Sequence, residues 1–70
     1  MKVLDAKKLG KKIKLARIEF DLTQAQLAEK IDAKQKSISR YETGVSLPSL
    51  ETLVKIAGAL DKPTSYFLDE

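Results

Sequence analysis

The chain predicts an all-α fold, a compact arrangement of five short helices. Three observations carry that expectation. Apolar residues recur at spacings of three and four, the stripe of a 3.6-residue period. Residues suited to open a helix stand before those stripes, and chain-breaking residues stand after them. No segment alternates apolar and polar residues for long enough to make a strand, and no repeat or low-complexity stretch interrupts the pattern.

Residues 1–4 read as a loose end, and Asp5 can cap a first helix that runs to about Phe20. Leu9, Ile13, Ala16 and Phe20 lie on one stripe, and Asp21 stands where the helix must stop. Thr23 is suited to cap a second helix over about residues 24–31, with Gln26 placed to complete a capping box. Asp32 and Ala33 make a corner. A third helix spans about residues 35–42. Thr43 and Gly44 stop it, and Gly44 suits a left-handed end. After a loop over 45–48, Ser49 caps a fourth helix whose Leu50, Leu53, Val54, Ile56, Ala57 and Leu60 form a broad apolar face. Lys62 and Pro63 break the chain, and a last short helix runs from Pro63 or Thr64 through Leu68.

Composition narrows the function classes. The 70 residues make a single domain, 1–70, with its packed part over about 8–68. A chain this short buries only about 60% of its unfolded surface. There is no Cys and no His, so a disulfide framework, a cysteine zinc site and the commonest general base are all lacking. No glycine-rich phosphate loop and no paired carboxylates stand out, and Ser37 and Ser39 have no base beside them. We therefore expect neither an enzyme nor a cofactor or metal, and no small-molecule ligand is evident. No apolar run approaches the ~20 residues of a membrane span, and no secretory signal is visible, so we expect a soluble cytoplasmic protein.

The net charge is +3 and the pI about 9.3, a mild excess. Its distribution is more telling. Residues 1–22 hold seven Lys/Arg against three Asp/Glu, 23–44 four against three, and 45–70 two against four. A basic N-terminal two-thirds fits a face that meets a polyanion, although a solvated lysine-rich helix would look the same.

Residues 24–41, QAQLAEKIDAKQKSISRY, are the most informative stretch. Leu27, Ala28, Ile31, Ala33, Ile38 and Tyr41 are its apolar positions. They describe two short amphipathic helices joined by a tight corner, with small Ala28 where the second must cross the first. A helix–turn–helix of this kind places its second helix in the DNA major groove. In the third helix, Ile38 and Tyr41 point inward. Gln35, Lys36, Ser39 and Arg40 share the other side at i, i+1, i+4 and i+5. Gln can bond bidentately to adenine, and Arg or Lys to guanine. A plain polar helix face is the alternative reading.

The order of segments resembles the Cro/phage-repressor type of helix–turn–helix regulator, often called the xenobiotic-response-element family. The resemblance runs from a basic first helix through LAEKI, QKSISRYETG and LPSLETLVKIAGAL to a short aromatic-containing helix, about residues 8–68. It implies a lambda-repressor-like fold and a sequence-specific regulator of double-stranded DNA, most simply a repressor acting as a homodimer on a two-fold site. Asp32 and Asp61 stand where the family usually has Gly. Asp tolerates the left-handed conformation better than most residues, so both corners should survive at a small cost.

By this resemblance Gln35, Lys36 and Arg40 match positions that reach bases, with Ser39 a weaker candidate. Gln24, at the start of the second helix, would bind backbone phosphate and brace Gln35. Lys34 and Ser37 flank the recognition helix and should contact phosphate. Thr43, Gly44 and Ser46 should do so partly through main-chain amides. Arg17 and Glu42 match an ion pair tying the first and third helices, with a further phosphate contact open to Arg17. Lys7, Lys8, Lys11, Lys12 and Lys14 spread around the first helix, so not all can face DNA. Leu15 and Ile18 lie off the core stripe, to pack under Val3 and Leu4 or to meet another subunit. In this family the last helix often makes the dimer contact, which offers Tyr66 and Phe67, with Tyr66 the better placed because its hydroxyl tolerates partial exposure. The competing reading is an antitoxin or co-regulator module whose main partner is another protein.

Overall fold

The computed structural model describes residues 5–68. The loose end expected over residues 1–4, and the packing of Leu15 and Ile18 under Val3 and Leu4, lie outside the described residues. Five α-helices follow one another: α1 (Ala6–Glu19), α2 (Gln24–Lys30), α3 (Gln35–Thr43), α4 (Leu50–Ala59) and α5 (Thr64–Leu68). No strand is present among the described residues.

The helix starts are set by local chemistry. Asp5 accepts from the N–H groups of Lys7 and Lys8 at 2.9 and 3.3 Å. Thr23 and Gln26 close the capping box, the Thr23 hydroxyl accepting from the Gln26 N–H at 3.0 Å and the Gln26 side chain from the Thr23 N–H at 2.9 Å. Ser49 accepts from the Thr52 N–H at 3.1 Å.

Four helices end on one device, a single left-handed residue. Three of these residues are aspartates, Asp21 (φ 58°), Asp32 (φ 56°) and Asp61 (φ 55°); the fourth is Gly44 (φ 80°). In each case the next N–H folds back onto the last turn: Leu22 to Arg17, Ala33 to Ala28, Val45 to Arg40 and Lys62 to Ala57, at 2.8–3.1 Å. The left-handed geometry expected at Asp32 and Asp61 is present, and Asp21 shares it.

One core joins all five helices: Leu9, Ile13 and Ala16 of α1, Leu27, Ala28 and Ile31 around α2, Ile38 of α3, Leu53, Ile56, Ala57 and Leu60 around α4, and Phe67 of α5. Two expectations fail. Phe20 lies outside the core, because α1 stops at Glu19 and the left-handed Asp21 turns the chain away. The apolar face of α4 is narrower than its sequence suggests: Leu50 is 66% exposed and Val54 51%. Both sit to one side of the arc that Leu53, Ile56, Ala57 and Leu60 turn inward.

The α1–α3 contact sets the height of α3, and Gly10 allows it. A Cβ there would stand 2.7 Å from the Glu42 carbonyl oxygen, against backbone that cannot yield. Gly10 is buried in mid-helix, where glycine costs about 0.5–1 kcal/mol relative to alanine, and close approach of α3 is the return.

Candidate nucleic-acid interface

The third helix is amphipathic in the strict sense. Ile38 is buried and Tyr41 packs against the core, whereas Gln35, Lys36 and Arg40 are exposed and Ser39 is half-buried beside them. Gln24 joins these four in lining one shallow, open depression. Five groups able to hydrogen-bond therefore converge, contributed by the exposed side of α3 and the first residue of α2.

Beneath this face lies a polar brace. The Arg17 guanidinium donates to Glu42 through Nε at 2.6 Å and Nη2 at 3.1 Å, and through Nη1 to the Leu22 carbonyl at 2.7 Å. Glu42 also accepts from the Gln24 amide at 3.1 Å. The side chains of Arg17 and Glu42 are only 11% and 2% exposed. Arg17 and Glu42 together thus tie α1, the α1–α2 turn, α2 and α3. Every buried side-chain polar atom among the described residues has a partner, as burial of charge requires.

The structure refines several expected roles. Gln24 lies beside Gln35, and one N–H of its amide donates to Glu42, which leaves its other N–H and its carbonyl oxygen toward the open face. Arg17 is too enclosed to offer its fork to a phosphate while holding Glu42 and Leu22. The Thr43 hydroxyl turns back to donate to the carbonyls of Ser39 and Arg40. The amides of Gly44, Val45 and Ser46 donate to the carbonyls of Tyr41 and Arg40, because the left-handed cap consumes them. Phosphate contact through those main-chain amides is therefore ruled out in this geometry, which leaves the Ser46 hydroxyl on that loop. Lys34 takes the capping position of α3 with extended backbone and makes no side-chain cap, so its ammonium is exposed at that end of the helix; half-buried Ser37 lies in the first turn.

The last helix divides. Phe67 is 1% exposed and stacks edge-on against Tyr66 at 5.1 Å, so it belongs to the core and is no surface contact. Its ring is what closes the bundle over α4. Tyr66 remains 36% exposed, with the Lys12 and Lys62 ammoniums 5.9 and 4.8 Å from its ring centre. Gly10 is the residue that sequence reasoning missed. A lone Gly inside an otherwise helical pattern was its one available signal.

Residues 13–67 match the helix-turn-helix family model. The chain belongs to that family, of the Cro/phage-repressor type. It is 41% identical over 54 residues to the cryptic phage CTXphi transcriptional repressor RstR of Vibrio cholerae, covering 77% of this chain and 48% of that protein. It is 42% identical over 52 residues to multiprotein-bridging factor 1 of Candida albicans, covering 74% of this chain and 34% of that protein. Among solved structures it superposes on Bacillus thuringiensis PlcR, determined in complex with the peptide PapR7 and DNA, with a TM-score of 0.85 and 42% identity over 91% of this chain and 22% of that one. The chain spans about half the length of the first curated relatives it matches. No helix among the described residues is long and apolar enough to cross a membrane.

Proposed function

We propose that this domain reads the sequence of double-stranded DNA with α3 in the major groove and represses transcription as a homodimer on a two-fold operator. The observation that carries this reading is the convergence of Gln35, Lys36, Ser39, Arg40 and Gln24 on one open face, above a buried ion pair that fixes its position. Gln35 and Arg40 supply the bidentate chemistry of base edges, and Lys34 and Ser37 sit where they can hold the backbone. A single α3 reads only a few base pairs, so useful specificity needs two half-sites, one turn or about 34–36 Å apart. The printed roles of RstR, a repressor, and of PlcR, solved with DNA, support the same reading. The activity is binding without catalysis, needs no cofactor, and takes place in the cytoplasm.

Selection from a random duplex library tests it. A two-fold symmetric consensus is the expected result, with affinity falling steeply as salt rises, because each phosphate contact releases counterions. Binding without a consensus, or binding indifferent to salt, would overturn it.

A second reading is supported by the similarity to multiprotein-bridging factor 1: a module whose main partner is a protein, with DNA binding secondary. Under that reading, Gln35→Ala with Arg40→Ala leaves the biological effect intact.

A further inference from the structure

The core uses one side of α1. Leu9, Ile13 and Ala16 turn inward, and Gly10 and Arg17 meet α3. The opposite side carries Lys8, Lys11, Leu15 and Ile18, at i, i+3, i+7 and i+10, a continuous stripe about 15 Å long. All four are exposed, Leu15 by 53% and Ile18 by 50%. Exposed Lys14 flanks Ile18 one turn before it. Leu15 lies roughly 140° around the helix from Gly10 and 160° from Arg17, so the stripe faces away from α3.

The stripe is ordered along its length. Lys8 and Lys11 take its N-terminal half, and Leu15 and Ile18 its C-terminal half. None of Lys8, Lys11 and Lys14 enters an ion pair among the described residues. Glu19 and Asp21 stand past the C-terminal end of the stripe.

We infer that this stripe docks an acidic amphipathic helix of another protein, with apolar side chains on Leu15 and Ile18 and carboxylates on Lys8, Lys11 and Lys14. Charge complementarity selects the occupant. Three uncompensated cations around two uncovered apolar side chains call for a partner that is apolar and anionic at once. A lipid surface is anionic too, but fits less well. Helices that lie in a bilayer interface bury a broad apolar face. Here α1 spends that face on the core and offers two side chains one turn apart, with no aromatic between them. Duplex DNA offers phosphates to the lysines and no apolar counterpart to Leu15 and Ile18. The inference does not rest on the DNA reading, because a helix held here leaves Gln35, Lys36 and Arg40 uncovered.

The test titrates the isotope-labelled whole chain with a synthetic helical peptide of Glu, Ala and Leu, its leucines one turn apart. A scrambled peptide of the same composition is the control, and amide NMR shifts are the readout. The ordered peptide should move the amides of residues 8–18 and bind at least about tenfold more tightly than the scrambled one. Leu15→Gln with Ile18→Gln should weaken it at least about tenfold. Lys8→Glu with Lys11→Glu should weaken it by a factor that shrinks as salt is added. Gln is a good helix former and both apolar positions are exposed, so the helical circular-dichroism signal of the Gln variant should not change. Its affinity for duplex DNA should match wild type. Equal binding of the two peptides overturns the inference, as do shifts centred on α3, no shift on α1 at millimolar peptide, or a Gln variant that binds as wild type does. Binding to phosphatidylglycerol vesicles that requires Leu15 and Ile18, without peptide binding, also overturns it and reassigns the stripe to a membrane. The DNA reading is scored separately by site selection, so either can fail without the other.

Discussion

The two faces of α3 are chemically opposite. Its inner face carries Ile38 and the enclosed Glu42; its outer face carries Gln35, Lys36 and Arg40 in water. Glu42 is charged and inward, held by Arg17 and Gln24, so its role is to fix the height and roll of the helix. Arg40 is charged and outward, and among the described residues no side-chain hydrogen bond or ion pair holds it, so it is available to a ligand. A charged side chain serves architecture on one side and, under the proposed function, recognition on the other. Burial makes the difference: an enclosed charge is strongly destabilising without a partner, and an exposed charge is not.

The largest expected effect breaks the inner face. Glu42→Ala strands the Arg17 guanidinium and should destabilise the domain by about 3–5 kcal/mol, read from urea unfolding. Small domains have only about 5–15 kcal/mol in all, so this variant should lose a large share of its stability. Replacing both partners, Arg17→Met with Glu42→Leu, should recover most of that loss, because neither charge is then buried alone. If the double variant is no better than the single one, the pair does more than compensate its own charges.

Gly10→Ala comes next. Its methyl would push α3 off α1, a loss of about 1–3 kcal/mol by analogy with overpacked cores. Alanine is the better helix former by about 0.5–1 kcal/mol, so a stability equal to wild type would hold the cost of moving the helices apart to that amount, and a gain of that size would show no cost at all.

The outer face should respond differently. Arg40→Ala should shift unfolding stability by less than about 0.5 kcal/mol. Yet it should lose about 1–3 kcal/mol of discrimination at one base position per half-site. Lys34→Ala should weaken all sequences alike and lower the salt slope by about 1. Binding assays on matched and mismatched duplexes at several salt concentrations separate the two. Uniform loss from both variants would erase the division between base and phosphate contacts.

Much of this comparison was legible in the sequence, for local reasons. Caps such as Asp5, Thr23 and Ser49 act within three residues, and the inward and outward sides of α3 follow from its period. The outer face was readable because it needs no tertiary partner. What stayed hidden depends on contacts between distant segments. The apolar letters of Leu50 and Val54 cannot say that no helix covers them. Phe67 and Tyr66 are neighbours of similar character, and only the packing of α5 decides which turns inward. The role of Gly10 rests on where a helix more than 25 residues away crosses it. The amides of Gly44 and Ser46 look available to a phosphate until the cap that Gly44 itself creates is built.

The smallest effect probes how the two faces are joined. Asp32 is the left-handed residue at the corner where α3 leaves α2. A non-glycine residue in that conformation is strained by roughly 1–2 kcal/mol, less for Asp than for most. Asp32→Gly relieves the strain but adds about 0.5–1 kcal/mol of backbone freedom to lose on folding. The two terms nearly offset, so the variant should gain less than about 1 kcal/mol, measured as a small rise in the urea midpoint. Gly44→Ala should go the other way. It adds a Cβ at φ 80°, 2.9 Å from the Lys7 side chain, where Asp32 has open water. If Asp32→Gly instead destabilises, the Asp32 side chain holds the corner in a way its backbone angle does not explain. If it stabilises and leaves DNA discrimination unchanged, the corner is a hinge already at its preferred angle, and the brace at Glu42 alone orients the reading face.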